Sequence, residues 1–457
     1  MVDGKIAGDM ARDSKGSGNT GGGRAENAKR PAARRGVPKR IIANRRSSVP
    51  VYTNVPRAEA SLAAIADVKS HKGPVSPDDI IRLRGGVDRP MLLIIILLLC
   101  FGSIMVFSSS FPYALEKYGD SYYLIKRQLM FIVVGSVIMV IAAMFDYRLI
   151  KKLTPLVYAV AVILLIAVLI TGYGKASGLA KRWLQIPGIG LSFQPSELMK
   201  LALALMIAKY MSDHEAEVVD YSNFWRSSWH GFFVPFIFTA IACLLVALEF
   251  HFSGTIIMFL IGMVVISAGG ARKFWFFLGG GLAAAVLVPA ILFTDYAKLR
   301  IDTWLHPENY AAQNEIWQTV QGLNAVGAGG LFGVGLGYSR QKHMFVSQPQ
   351  NDFIFSIVCE ELGFIGALAV ILLFALFVWR GIVIALRAPA TYSSLVVIGI
   401  VGKIAIQATL NMMVVTNLIP NTGISLPFFS YGGTSLIMLM GEMGIVLGIS
   451  RYSYQEK

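Results

Sequence analysis

NDFIFSIVCEELGFIGALAVILLFALFV, residues 351–378, decides the fold class. From Leu362 to Val378 it contains no polar side chain, and with the residues before it the run is long enough to cross about 30 Å of hydrocarbon. Yet it opens with Asp352 and carries Glu360 and Glu361 further in. A carboxylate in hydrocarbon requires a partner or a wet cavity. The segment therefore reads as a membrane span with a purpose at its mouth.

The rest of the chain agrees. Of 457 residues, 55% are hydrophobic and only 15% charged, with a mean hydropathy of +0.60. Soluble domains are less apolar and more charged. Apolar runs predict spans at 90–110, 124–145, 153–172, 196–212, 231–248, 254–270, 274–293, 352–378, 393–418 and 431–450. The expected fold is all-α: a polytopic bundle of ten transmembrane helices, with a large extracytoplasmic loop, 294–351, between spans seven and eight. An even count places both termini on one side.

The net charge of +14 is uneven, with 18 Lys and Arg against 9 Asp and Glu in residues 1–90. Residues 1–89 read as a disordered basic tail, 90–450 as the membrane domain and 451–457 as a short end. The tail is rich in Gly, Ser, Pro and Arg and poor in aromatics, which fits a solvated extension drawn to anionic membrane lipids, and not a nucleic-acid binder. No cleavable signal peptide is read in this polar stretch, so the first span is expected to anchor the chain. Cys100, Cys243 and Cys359 fall in apolar segments and read as buried free thiols.

Arg148, Lys151, Lys152, Arg272, Lys273, Arg380, Arg387 and Arg451 then lie with the tail on the cytoplasmic side, as the positive-inside rule requires. Two outer loops break the rule. Loop 173–195 carries Lys175, Lys181 and Arg182, and loop 294–351 carries Lys298, Arg300, Arg340 and Lys342. Lys175, Lys298 and Arg300 read as solvated surface. Arg182, Arg340 and Lys342 suit an anion site as well as a surface, since Arg and Lys match phosphate oxygens.

Within loop 294–351, Ile316, Val320 and Leu323 share one helix face beside Trp317, which predicts an amphipathic helix lying on the outer leaflet. The glycines from Gly327 to Gly337 follow as a tight turn. GVGLG is no nucleotide loop, because no strand precedes it.

Polar groups recur inside the spans. Glu197 and Lys200, three apart, occupy one face: a helix cap with an ion pair, or the lining of a polar cavity. Lys403, Gln407 and Asn411, at four-residue steps, form a polar stripe facing the bundle interior. Glu360 and Glu361 read as structural polar interior and, from depth alone, as partners for Lys403. Asp352 either caps its helix, as Asn351 also could, or serves as a general base beside Arg340, Lys342 and His343.

Taken together, FQPSELMK (193–200), GLAKRW (178–183), GGLFGVGLGYSRQK (329–342), NDFIFSIVCEELGFIG (351–366) and PNTGISLPFFSYGGTS (420–435) resemble the SEDS family (shape, elongation, division and sporulation), nearest its cell-division branch. They run in order through nearly all of the membrane portion and leave the first 90 residues uncovered. The resemblance implies a ten-span enzyme of the bacterial cytoplasmic membrane, at the septum, polymerising lipid II on the outer face. Its implied partners are a class B penicillin-binding protein and other division proteins.

By resemblance Asp352 matches an essential aspartate, Arg182 an important arginine, and Glu197 with Lys200 a cavity-lining charged pair. Lys181, Arg340, Lys342, Ser430, Gly432 and Gly433 join Arg182, Glu197 and Lys200 as implied substrate contacts. The chain departs from the family at Gln350 and Asn351, in EFHFSGT (249–255), and at Thr422; His251 is given no catalytic role.

The implied chemistry is attack of a sugar 4-hydroxyl on an anomeric carbon whose leaving group is a lipid pyrophosphate. Pyrophosphate needs cations and no acid, so one carboxylate base suffices where a glycosidase uses two. No His or carboxylate cluster has metal-ligand spacing and no cofactor is read from the sequence, though a divalent ion bridging pyrophosphate is compatible. Two other readings fit the polar spans: a flippase for the lipid-linked precursor, and a non-catalytic divisome scaffold.

Overall fold

The computed structural model describes residues 85–171, 182–186, 191–281, 285, 301–310 and 314–452. Outside them lie nearly all of the basic tail, Lys175, Lys181, Lys298, Arg300, most of the later part of the span expected at 274–293, and the chain end after residue 452.

Ten helices carry the argument. α1 (Arg89–Tyr118) starts where the Asp88 carboxylate accepts the Met91 N–H at 2.8 Å, with Pro90 in its first turn, and stops at Gly119 in a left-handed conformation. α2 (Tyr123–Met144) and α3 (Tyr147–Thr171) follow, then a hairpin of β1 (Leu184–Ile186) and β2 (Leu191–Phe193) in antiparallel register, Leu184 opposite Phe193. α4 (Pro195–Asp213), α5 (Phe224–Leu248, with a π turn at Trp229–Phe233) and α6 (Phe252–Ala268) come next. α7 (Asn314–Gly329) precedes α8 (Ile354–Leu386), α9 (Thr391–Val415) and α10 (Gly433–Ser450).

Seven helices, α1, α2, α3, α5, α8, α9 and α10, are long and apolar enough to cross a membrane. α6 has 17 residues, and α4 carries Glu197, Lys200, Lys209 and Asp213 among its 19. Both are packed between neighbours, against each other and against α9. A further helix starts at 273–281, and most of its expected continuation lies outside the described residues. Length and composition thus account for seven of the ten spans expected.

Packing follows membrane rules. Apolar side chains such as Val133, Val137 and Val140 of α2 are exposed on the bundle's outside, as a lipid-facing surface would be. Small residues let backbones approach: Gly441, Gly444 and Gly448 of α10 run along α2, where a side chain on Gly448 would stand 3.3 Å from Ala143. At one end of the bundle Asp88 pairs with Arg380 at 2.6 Å and its N–H donates to Ser450, which joins the start of α1 to the ends of α8 and α10.

α8 is not continuous. Gly363 adopts φ 66, ψ −164, so the helix breaks between 362 and 364. The glycine-rich loop repairs the break. Val334 and Gly335 donate N–H groups to the carbonyls of Glu360 and Glu361 at 2.9 and 3.0 Å, while Phe364 and Ile365 donate to Gly330 and Leu331 at 2.9 and 3.2 Å. Backbone groups freed at membrane depth must find such partners.

α7 differs from its expected face. Thr319, Gly322, Ala325 and Gly329 are buried, with Gly322 and Gly329 against α8, while Ile316, Val320 and Leu323 are half-buried. The small residues allow a closer approach than the branched ones, so they take the packed side.

Candidate active site

At the other end of the bundle, a cavity of about 580 Å³ opens among α1, α2, α4, α9, α10, the hairpin and the loop before α10. The two-stranded hairpin was absent from the all-α reading. It carries Arg182 and Trp183 to the cavity wall just before β1, and the Thr434 hydroxyl at the start of α10 donates to the Ser192 carbonyl at 2.9 Å.

Asp352 lines this cavity. Its main chain is fixed: the Asn411 amide donates to the Asp352 carbonyl and to the Ile424 carbonyl, both at 2.7 Å. The Ser430 hydroxyl donates to the Asn351 carbonyl at 2.8 Å, and the Tyr431 N–H to the Gln350 carbonyl at 2.8 Å. The carboxylate itself has no hydrogen-bond partner among the described residues. Gly423, with φ +65, lies against it, and a side chain there would stand 3.4 Å from the Asp352 Oδ2. Burial pushes the carboxyl up to about 6.

Arg182, Glu197, Lys403, Ser430, Gly432 and Gly433 line the same cavity. The Arg182 guanidinium donates to the carbonyls of Glu249, at 3.4 Å, and Phe250, which aims it across the turn between α5 and α6. Glu197 pairs with Lys200 at 2.6 Å; Lys200 is buried behind it and does not line the cavity. Lys403, Gln407 and Asn411 are all buried on one face of α9. Ser430 also accepts the Leu426 N–H at 2.7 Å, so its hydroxyl is engaged in holding the loop.

Three groups stand elsewhere than the sequence reading placed them. Lys403 pairs with Glu442 at 2.6 Å, and not with Glu360 or Glu361, because α10 and not α8 presents the acid at that depth. Lys342 is buried away from the cavity: its ammonium bonds Glu361 and the Gly337 carbonyl at 2.8 and 2.7 Å. Arg340 is exposed and outside the cavity, its N–H donating to Glu360 at 2.8 Å. The Ser339 hydroxyl also donates to Glu360, and the Ser108 hydroxyl to Glu361 at 2.6 Å. Glu360 and Glu361 thus clamp the glycine-rich loop and α1 onto α8. Lys181 lies outside the described residues.

Sequence reasoning passed over Lys117, Arg127 and Gln194 and gave His251 no catalytic role, yet all four are on the cavity wall, with Glu249 beside it. His251 is pushed down to about 4 by burial and Glu249 up to about 8, with both carboxylate oxygens of Glu249 buried and unpaired. Burial thus favours the neutral form of both. Among the described residues no three His, Cys, Asp or Glu side chains cluster as a metal site would need.

The fold and cavity define a polytopic helical membrane protein with a charged, polar chamber at one end of its bundle. The sequence profile of the cell cycle proteins FtsW, RodA and SpoVE matches residues 89–455. Stage V sporulation protein E of Bacillus subtilis is 40% identical over 368 residues, covering 80% of this chain and 97% of its own length. A probable peptidoglycan glycosyltransferase FtsW of Geobacter sulfurreducens is 35% identical over 364 residues, covering 79% and 95%. Among solved structures, one of a peptidoglycan synthase complex that coordinates polymerization and crosslinking superposes with a TM-score of 0.65 at 25% identity, covering 81% of this chain and 99% of the other. The rod shape determining protein RodA of Thermus thermophilus does so at 0.58 and 25%, covering 81% and 98%. The chain belongs to the SEDS family, the family of FtsW, RodA and SpoVE.

Proposed function

We propose that this chain is a peptidoglycan glycosyltransferase that polymerises lipid II into β-1,4 glycan strands, with Asp352 as general base. The observation that carries the reading is the Asp352 carboxylate: unpaired, on the wall of a cavity with Arg182, and fixed through its main chain. A base must be open to its substrate and must not be held by a cation; Asp352 lines the cavity, and its carboxylate has no partner among the described residues, which supports this role.

In this reaction the acceptor sugar 4-hydroxyl oxygen bonds to the anomeric carbon of the donor. Its proton passes to Asp352, and the bond from that carbon to the pyrophosphate oxygen breaks with the electron pair leaving on pyrophosphate. Attack from the opposite face turns an α donor into a β linkage. Arg182 offsets the charge on the departing oxygens, and Glu197 and Lys403 keep the floor polar.

The names of the relatives support this activity, and the synthase-complex likeness supports a class B penicillin-binding protein as partner. In the same reading the cavity faces outward, both termini lie in the cytoplasm and the protein acts at the septum; the basic residues Arg272, Lys273, Arg380 and Arg387 between the spans support that orientation. The test is purified protein with labelled lipid II, with and without the partner. Glycan strands from the wild type and none from Asp352→Asn are expected; unchanged polymerisation by Asp352→Asn refutes the base. A parallel liposome assay for lipid movement separates polymerase from flippase.

A further inference from the structure

We propose that Lys117 and Arg127 form a second anion subsite in the cavity, one that holds the pyrophosphate of a second lipid-linked substrate. This rests on the polymerase reading. Both side chains line the cavity from the ends of α1 and α2, elements that do not carry Arg182. Neither is paired with a carboxylate among the described residues. The nearby acid Asp120 is taken by Lys126 at 2.9 Å.

Phenols hold the two cations instead. The Lys117 ammonium donates to the Tyr113 hydroxyl at 2.8 Å and lies 5.2 and 5.8 Å from the ring centres of Tyr113 and Tyr118. The Arg127 guanidinium lies 5.6 Å from the Tyr123 ring centre, and its Nη1 donates to the Tyr123 hydroxyl at 3.3 Å. Aromatic faces orient a cation without cancelling its charge, so both remain available to an anion. Tyr431 lines the same cavity as Arg127, and its N–H is bonded to Gln350, two residues before Asp352. The two cations therefore share one cavity with the turn that presents the base.

Strand growth supplies the reason for two subsites. Each bond joins two lipid-linked sugars: one loses its pyrophosphate and the other keeps it. Two such anions occupy the site at once, and cations on one wall alone would leave the second charge uncompensated. Arg182, held by the Glu249 and Phe250 carbonyls, faces one anion; Lys117 and Arg127 face the other.

The experiment uses the full chain in phosphatidylcholine nanodiscs, with undecaprenyl pyrophosphate as the probe and bound molecules counted by native mass spectrometry. Two per chain are expected for the wild type and one for Lys117→Gln/Arg127→Gln, the lost site weakened roughly ten- to hundredfold, as for charge-assisted contacts. With lipid II the same variant is expected to release strands several-fold shorter, while its melting temperature stays near that of the wild type. Equal probe counts and equal strand lengths overturn the proposal. Displacement of the probe from this site by an equal amount of phosphatidylglycerol also overturns it, because the site would then be a general headgroup site. If the variant loses one probe while Asp352→Asn still polymerises, the subsite stands and the assignment of the base falls.

Discussion

Asn411 grips Asp352 by its carbonyl and leaves its carboxylate free, the amide donating at 2.7 Å and spanning to Ile424 at the same distance. One side chain on α9 thus fixes both the turn before α8 and the loop before α10. Asn411 is wholly buried, so its loss strands two carbonyls. Asn411→Ala is expected to lower lipid II polymerisation by roughly tenfold or more, since each lost hydrogen bond is worth about 1 kcal/mol and 1.4 kcal/mol is a factor of ten. Initial rates over a range of lipid II concentrations check this, and a rate equal to the wild type refutes the positioning role.

Burial disfavours the charge of the Asp352 carboxyl and pushes it from the ordinary 3.8 up to about 6. A general base works ionised, so polymerisation is expected to rise with pH through about 6 and to fall about tenfold per unit below it. Stability moves the other way. A carboxyl whose folded value is raised binds its proton more tightly in the folded protein, so its contribution is full below 3.8 and is lost as pH rises through about 6. Activity lost at pH 5 without a lower melting temperature is the expected pair of results; a flat rate from pH 5 to 8 rejects Asp352 as the base.

The sequence made the membrane class and the polar stripe of α9 legible because both are local: apolar run length, and a four-residue step that cannot avoid sharing a face. Asp352 stood out for the same reason, as a charge at the mouth of an apolar run. The partners of Glu361, Lys342 and Lys403 were not legible, since which helices face one another at a given depth is set by packing across the bundle. The break at Gly363 was hidden too, because FGVGLG looks like a free turn until its N–H groups are seen bonded to α8. The hairpin had a signal in WLQIPGIGLSF, alternating runs around Pro187 and Gly188, that the dominant helical pattern masked.

Lys342 and Glu361 form a pair whose side chains are only 3% and 0% exposed, so removing either leaves a buried charge. Lys342→Met is expected to destabilise the protein by about 3–5 kcal/mol. Lys342→Met/Glu361→Leu should recover much of that loss, and both variants should bind undecaprenyl pyrophosphate as the wild type does whenever folded. Thermal unfolding in detergent, read beside probe binding, checks this. Weakened binding with unchanged melting would return Lys342 to the substrate site.

Gly363 tests whether the repaired break in α8 supports the site. Its φ of 66 and ψ of −164 are tolerated almost only by glycine, and a side chain there would meet the main chain of Leu331 at 2.6 Å. Gly363→Ala should therefore lower stability by about 1–3 kcal/mol from strain alone and pull the 330–335 loop from the freed carbonyls of Glu360 and Glu361. Because those residues sit two turns beyond Asp352 on the short first segment of α8, polymerisation should fall as well, although residue 363 does not touch the cavity. Gly327→Ala is the control: nothing stands within 4 Å of a side chain there, and it lies in the helix α7, so melting and activity should match the wild type. If Gly363→Ala melts and polymerises as the control does, the break is incidental and the base is positioned by Asn411 and Ser430 without it.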